Sequence, residues 1–375
     1  MLVFVPKNAD ADESRIAIMP ATVKKYCQLG FDIAVQAGIG QSLSISDAAF
    51  ADAGAKIIQE FSEITAPIDI SIGLNLPEKS LVNKFPQNTW HISFFNPFQR
   101  PELLTELAEQ HINLISLELL PRSTLAQPMD ALSSQANLAG YASVLQACEY
   151  SEKVLPMMMT AAGTIAPAKV FVIGVGVAGL QAIATAKRLG AQVIAYDVRP
   201  AVEEQVKSLG AQFLKIDLGA MEQTKQGYAK ALTIEQLAQQ QQMMTKACAN
   251  ADIIITTALV FGKTAPQLIT LAMLEQISSG TVIVDLATKA GGNVAKAQKD
   301  QVIDYNGIKI IGFSELSRYV ARDASELYAN NIFNLIKYFY QPEEKQMQWN
   351  LQDEILQSAC LTFAGKIIHQ EFNGA

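Results

Sequence analysis

The run Gly174-Val175-Gly176-Val177-Ala178-Gly179 fits the spacing GxGxxG. Glycines so placed let main-chain N–H groups face a pyrophosphate at the start of a helix. The pattern alone is weak, but here it follows an apolar run of strand length, residues 169–173. It opens a helix-like stretch, residues 180–189, that Gly190 ends. Asp197 lies 23 residues after Gly174, at the end of the next strand candidate, residues 192–196. Each position has a physical task. Gly174 permits the turn, Gly176 leaves the backbone open to phosphate, Val177 and Ala178 complete the cofactor-binding turn, and Gly179 lets the following helix pack on the strand. Asp197, followed by Val198 and Arg199, can accept hydrogen bonds from both hydroxyls of an adenosine ribose. Its charge would repel a 2′-phosphate, which favours NAD(H) over NADP(H), and Arg199 softens that discrimination. The competing readings are an ordinary strand-to-helix turn and a solvated carboxylate.

Other reactive residues are sparse. Cys27, Cys148, Cys248 and Cys360 form no CxxC pair and read as reduced thiols. His91, His111 and His369 lie far apart without ligand spacing, so no metal site is expected.

The chain of 375 residues is 50% hydrophobic and 17% charged, which excludes global disorder and suggests two or three domains. A formal net charge of -7 argues against nucleic acid as a partner. The N-terminus lacks the pattern of a signal peptide. The longest apolar-plus-glycine run, residues 170–180, is half of what a spanning helix needs, so a soluble chain is expected.

The first third alternates short apolar runs (1–6, 32–36, 68–74, 89–95, 113–118) with helical segments, the best being 20–29 and 101–110. A Ser-, Gln- and Ala-rich helix, residues 131–145, reads as a connector. Strand candidates then recur at 169–173, 192–196, 212–215, 253–256, 282–285 and 308–311. That cadence predicts an α/β fold of two Rossmann-like, doubly wound parallel-sheet domains with a cleft between them. The amphipathic segment 323–341 is expected to return to the first domain, making it discontinuous: 1–130 plus 319–375, around 131–318. The polar stretch 219–248 interrupts the rhythm. It reads as a solvated helix or as a long excursion, a lid or an exchanged arm.

These residues carry a resemblance to the NAD(H)-binding component of proton-translocating nicotinamide nucleotide transhydrogenases, a family similar in turn to alanine dehydrogenase. It covers nearly the whole chain: residues 13–17, 160–165, 174–191, 197–199, 256–259, 285–287 and 291–293. The most discriminating stretch is residues 121–135, which resembles a signature loop named for its Arg, Gln and Asp. The resemblance implies that Arg122, Gln127, Asp130 and Ser133 are the catalytic group at the nicotinamide end, Gln127 orienting the ring. Asp130 alone also reads as a helix N-cap. The resemblance further implies cofactor contacts from a mobile loop with Gly227 and Tyr228, and from Gln240 and Leu259. Alanine dehydrogenase carries a lysine in the segment matching 72–77 and a histidine in that matching 93–98. Here those segments read IGLNLP and SFFNPF, while Arg15, counterpart of a substrate-binding arginine, remains.

Oxidative deamination needs a base, whereas hydride exchange between two nicotinamides needs only close orientation. The implied function is hydride transfer between NADH here and NADP+ on a partner, active only with partner subunits. The implied partners are an NADP(H)-binding beta subunit, a small membrane subunit that forms the second piece of a split alpha subunit and couples proton translocation, and a second copy in a homodimer. The implied place is cytoplasmic, peripheral on the inner membrane. The alternatives are an amino-acid dehydrogenase of the alanine type and an NAD-sensing protein without chemistry.

Overall fold

The computed structural model describes residues 1–216, 234–260 and 262–373. The chain divides into two units, residues 1–135 with 320–375, and residues 136–319. Strands of the first unit are β1 (Leu2–Val5), β2 (Asp32–Gln36), β3 (Ala55–Ile58), β4 (Ile70–Asn75), β5 (Trp90–Phe94) and β6 (Asn113–Ser116). Those of the second are β7 (Met158–Thr160), β8 (Gly163–Ile165), β9 (Lys169–Ile173), β10 (Gln192–Tyr196), β11 (Gln212–Phe213), β12 (Ile253–Thr256), β13 (Val282–Asp285), β14 (Val302–Tyr305) and β15 (Ile308–Ile311). The chain then re-enters the first unit with β16 (Tyr340–Gln341), β17 (Gln346–Met347), β18 (Cys360–Phe363) and β19 (Lys366–Ile367).

The first unit's main sheet runs β3-β2-β1-β4-β5-β6-β18-β19, parallel through β6 and antiparallel beyond. Every residue of β6 and five of the six in β4 are buried, as expected of parallel strands covered on both faces. Helix Pro101–Glu109 buries Leu104, Leu107 and Ala108, the i, i+3, i+4 stripe of an amphipathic helix. Helix Ala321–Phe339 buries Tyr328, Ile332, Leu335, Ile336 and Phe339 on the same logic. Trp90 and Trp349, the chain's two tryptophans, stack with centroids 4.4 Å apart in this unit.

The second unit's main sheet runs β11-β10-β9-β12-β13-β15-β14, with only β14 antiparallel. β12 and β13 are buried throughout. Strands β7 and β8 form a separate hairpin.

Helix Ala131–Tyr150 is longer than the 131–145 expected, and its first turn belongs to the first unit. The tie is chemical: Gln135 Nε2 donates to the Ala324 carbonyl (3.0 Å), and the Ser134 hydroxyl donates to Asn331 Oδ1 (2.7 Å). The helix after the glycine turn begins at Val177 rather than 180. β14 and β18–β19 were not among the expected strands, but their turns carry a local signal. Asn306-Gly307 and Ala364-Gly365 both have positive φ (53° and 80°, 48° and 81°), the geometry of two-residue hairpins. Segment 234–249 is a helix with Gln240, Met244 and Cys248 buried, so it is not a solvated helix throughout.

Candidate functional site

In the second sheet β9 and β12 are neighbours, although β10 follows β9 in the chain. At such a switch point the chains leaving the two strands diverge and open a crevice. Gly174 leaves β9 with φ +95°, a conformation that favours glycine. Across the opening, the Thr257 hydroxyl after β12 donates to the Gly174 carbonyl at 3.0 Å. A Cβ on Gly179 would lie 1.9 Å from that same carbonyl oxygen, so the close approach of helix to turn requires glycine there.

Gly176 differs from both. Its φ is -86°, and a Cβ there would meet no atom within 4 Å. Among the described residues, no contact demands glycine at this position. It is exposed, and it caps helix Val177–Arg188, whose first N–H groups lack intrahelical partners. An anionic group approaching the backbone accounts for the missing side chain, so a pyrophosphate fits this turn. Val177 is exposed beside it and Ala178 is half-buried. Gly140, which sequence reading passed over, supports the turn from behind. A Cβ there would lie 2.1 Å from the Ala178 carbonyl oxygen. A lone glycine inside a long helix was the available signal.

Asp197 follows β10 and reaches back to the turn. Its Oδ2 accepts from the Val175 N–H (2.8 Å) and its Oδ1 from the Arg199 N–H (2.8 Å). The Arg199 guanidinium clamps both oxygens, Nε to Oδ1 at 2.9 Å and NH2 to Oδ2 at 3.0 Å, and also donates to the Val175 carbonyl. The carboxylate is thus fixed in place, and Arg199 partly offsets its charge. Val198 packs into the unit's core. Leu259 is exposed just past Thr257. Its neighbour Ala258 is held on both sides by Asn293, whose Oδ1 accepts from the Ala258 N–H (3.1 Å) and whose Nδ2 donates to the Ala258 carbonyl (2.9 Å). Buried Asp285 orients Asn293 by accepting its N–H at 2.7 Å. Burial raises the Asp285 pKa, opposed by the N–H and hydroxyl donors around it.

Gln240 is buried and donates through Nε2 to the Tyr196 hydroxyl at 2.9 Å. Burial pushes that phenol up to about 12. Gly227 and Tyr228 lie outside the described residues.

The loop 122–133 belongs to the first unit. Arg122 and Gln127 are exposed, and Gln127 opens a short 3-10 turn, Gln127–Met129. Ala126 and Met129 point inward and are buried. Asp130 caps helix Ala131–Tyr150: its Oδ1 accepts from the Ser133 N–H (2.9 Å), its Oδ2 from the Ser133 hydroxyl (2.5 Å). The structure therefore joins Asp130 to Ser133 and leaves Gln127 directed outward from a turn anchored beneath.

Arg15 is enclosed. Its Nε and NH2 donate to the two Glu13 oxygens (2.8 and 2.7 Å) and its NH1 to Gln135 Oε1 (3.0 Å), with Glu13 and Arg15 both buried. In segment 93–98, Glu118 Oε1 accepts the N–H groups of Phe95 and Asn96, each at 2.8 Å. Burial raises the Glu118 pKa, against the donors that bond it. His91, fully buried with Nδ1 3.1 Å from the Ser71 hydroxyl, is pulled down to about 3 by burial, partly offset by the Asn75 carbonyl. Each of these ionisable groups is engaged inside the fold. Among the described residues no cluster of three or more His, Cys, Asp or Glu could hold a metal, and no helix is long and apolar enough to cross a membrane.

Residues 4–139 match the profile "Alanine dehydrogenase/PNT, N-terminal domain", and residues 143–370 match "Alanine dehydrogenase/PNT, C-terminal domain". The chain belongs to the alanine dehydrogenase/PNT family. Within that family it lies on the transhydrogenase side. It is 40% identical over 384 residues to the first piece of the split NAD(P) transhydrogenase subunit alpha of Rhodospirillum rubrum, covering 100% of this chain and 99% of that one. The crystal structure of transhydrogenase from Sinorhizobium meliloti superposes with a TM-score of 0.86 at 37% identity, covering 99% of this chain and 100% of that one. An alanine dehydrogenase of Methanococcus maripaludis is more distant, 26% identical over 297 residues, 78% of this chain and 74% of that one.

Proposed function

We propose that this chain is the NAD(H)-binding subunit of a proton-translocating NAD(P) transhydrogenase. The Gly174–Gly179 turn and the helix behind it receive the pyrophosphate, and Asp197 the adenosine ribose. Arg122, Gln127, Asp130 and Ser133 serve the redox ring. Bound NADH supplies a hydride, which passes to NADP+ on a partner subunit. The chain's own residues bind and orient; they need move no proton, because hydride exchange between two nicotinamide rings is balanced without one. Gln127, an uncharged amide on a rigid turn, suits ring orientation. Gly227, Tyr228, Gln240 and Leu259 remain proposed cofactor contacts. Of these, Gln240 acts through Tyr196.

The observation that carries transfer rather than amino-acid oxidation is the enclosure of Arg15 by Glu13 and Gln135. An arginine so paired is not offered to a substrate carboxylate. The proposed partners are the NADP(H)-binding beta subunit and a small membrane-embedded subunit, the second piece of alpha, which would hold this chain on the cytoplasmic face of the inner membrane. A homodimer is proposed as well. It is supported by the β7–β8 hairpin, where residues 154–168 carry no charge and Met157, Met159 and Ile165 are 61%, 76% and 44% exposed. An isolated apolar hairpin of this kind is stable only when covered.

The test mixes the chain with the NADP(H)-binding partner and follows reduction of an NAD analogue by NADPH. Gln127→Asn should lower the transfer rate at least tenfold while the NADH Kd changes less than threefold. NADH formation from L-alanine by this chain alone would overturn the reading.

A further inference from the structure

We infer that Asn331 and Asn334 are positioning residues for Gln127, acting through the carbonyl of Pro128. The inference rests on the function proposed for the loop. Both amides converge on that one oxygen, Asn331 Nδ2 at 2.9 Å and Asn334 Nδ2 at 3.1 Å. They lie three residues apart on helix Ala321–Phe339, the spacing that puts two side chains on one helical face. In sequence they stand 203 and 206 residues from Pro128.

The loop's main-chain bonds are local: Gln127 N–H to the Ser123 carbonyl, Met129 N–H to that of Ala126, and Asp130 N–H to that of Gln127 at a long 3.3 Å. Proline at 128 supplies no N–H of its own. The Pro128 carbonyl is therefore a polar anchor on the peptide next to Gln127, beside the bond from the Ser123 hydroxyl to Glu354 Oε1 (2.8 Å) at the start of the loop. Asn331 is buried at 8% exposure, and its Oδ1 accepts from the Ser134 hydroxyl at 2.7 Å. The Pro128 carbonyl can only accept, so it is this contact that turns Nδ2 toward the loop and leaves Oδ1 for Ser134.

The rest of this helix face secures the fold with Ile332, Leu335 and Ile336, all fully buried. Two amides aimed at one loop carbonyl add direction rather than apolar burial. Direction is what ring orientation requires: a misplacement of about 1 Å costs on the order of a hundredfold in rate.

The test uses the full chain with its NADP(H)-binding partner. Asn331→Asp keeps the shape but replaces the donor by an acceptor facing the Pro128 carbonyl. Asn334→Ala removes the second donor from a half-buried site. Single-turnover transfer from NADPH to an NAD analogue is measured beside the NADH Kd, read from dihydronicotinamide fluorescence. The expected result is at least a tenfold slower transfer for Asn331→Asp and about threefold for Asn334→Ala, with Kd unchanged within twofold. Unchanged transfer in both variants, or transfer falling only in proportion to NADH affinity, overturns the inference. Should Asn331→Asp not fold, Asn334→Ala decides. Gln127→Asn runs alongside. If it slows transfer and the asparagine variants do not, this inference alone fails; if it is also without effect, the reading of the loop fails instead.

Discussion

The two units repeat one topology and use it differently. In each, the first strand lies at the centre of the sheet, with the next two strands on one side and the fourth on the other: β3-β2-β1-β4 in one, β11-β10-β9-β12 in the other. After β9 comes glycine, and a helix starts three residues past Gly174 at Val177. After β1 comes Pro6, which has no N–H, and the next helix does not begin until Pro20. A phosphate at the first switch point would find no helix N-terminus and one main-chain donor fewer. The charges near the end of β4 are spent within the protein: Tyr328, whose hydroxyl donates to the Gly73 carbonyl at 2.7 Å, lies in the field of Glu118, Arg15 and Glu13. Shared strand order thus does not confer a shared ligand. The site is written in the few residues that follow the strands.

The comparison breaks most visibly at Arg15. Arg15→Met leaves Glu13 buried and uncompensated, and should cost about 3–5 kcal/mol. Adding Glu13→Leu should restore most of that. Urea unfolding followed by tryptophan fluorescence reads the first unit selectively, because Trp90 and Trp349 both lie there. NADH affinity, whose phosphate and ribose contacts are proposed to lie on the second unit, should not follow the loss. A double variant no more stable than Arg15→Met would contradict the pairing.

His91 sharpens the contrast through pH. Its folded pKa near 3 lies below the ordinary 6.5, so between those values the unfolded chain binds a proton that the folded chain refuses. The associated stability is complete above pH 6.5 and drains as pH falls toward 3, at about 1.4 kcal/mol per pH unit. Between pH 7 and pH 5 the first unit should lose about 2 kcal/mol. His91→Asn should flatten that slope, and an identical slope in the variant would remove His91 as its cause.

The smallest effect on stability and the most selective on binding belong to Gly176→Ala. The new methyl meets open space at an ordinary φ, so the unfolding free energy from urea titration should stay within about 0.5 kcal/mol of the parent. NADH affinity should fall at least tenfold, about 1.4 kcal/mol. Equal affinity by fluorescence titration would mean that no phosphate approaches this backbone.

Residues adjacent in the chain made the second unit's strand–turn–helix geometry readable in advance. The strand Lys169–Ile173, the glycine turn and Asp197 lie within one β-α-β stretch, where period, turn chemistry and spacing are local properties. The same held for β2, β12, β13 and β15. What escaped that reading joins distant segments. Gln240 meets Tyr196 across 44 residues, Asn293 meets Ala258 across 35, and Arg15 meets Gln135 across 120. No pattern of apolar residues foretells which amide faces which carbonyl. That pairing depends on where two elements come to rest once their apolar faces are buried. By itself, then, the amino-acid order determined the alternation of strands and helices, the glycine turn between strand and helix, and the absence of a lysine or histidine in segments 72–77 and 93–98. Only the tertiary structure decided that Arg15 would be enclosed and that Pro128 would be held from beneath, because both follow from helices packing across the sheet.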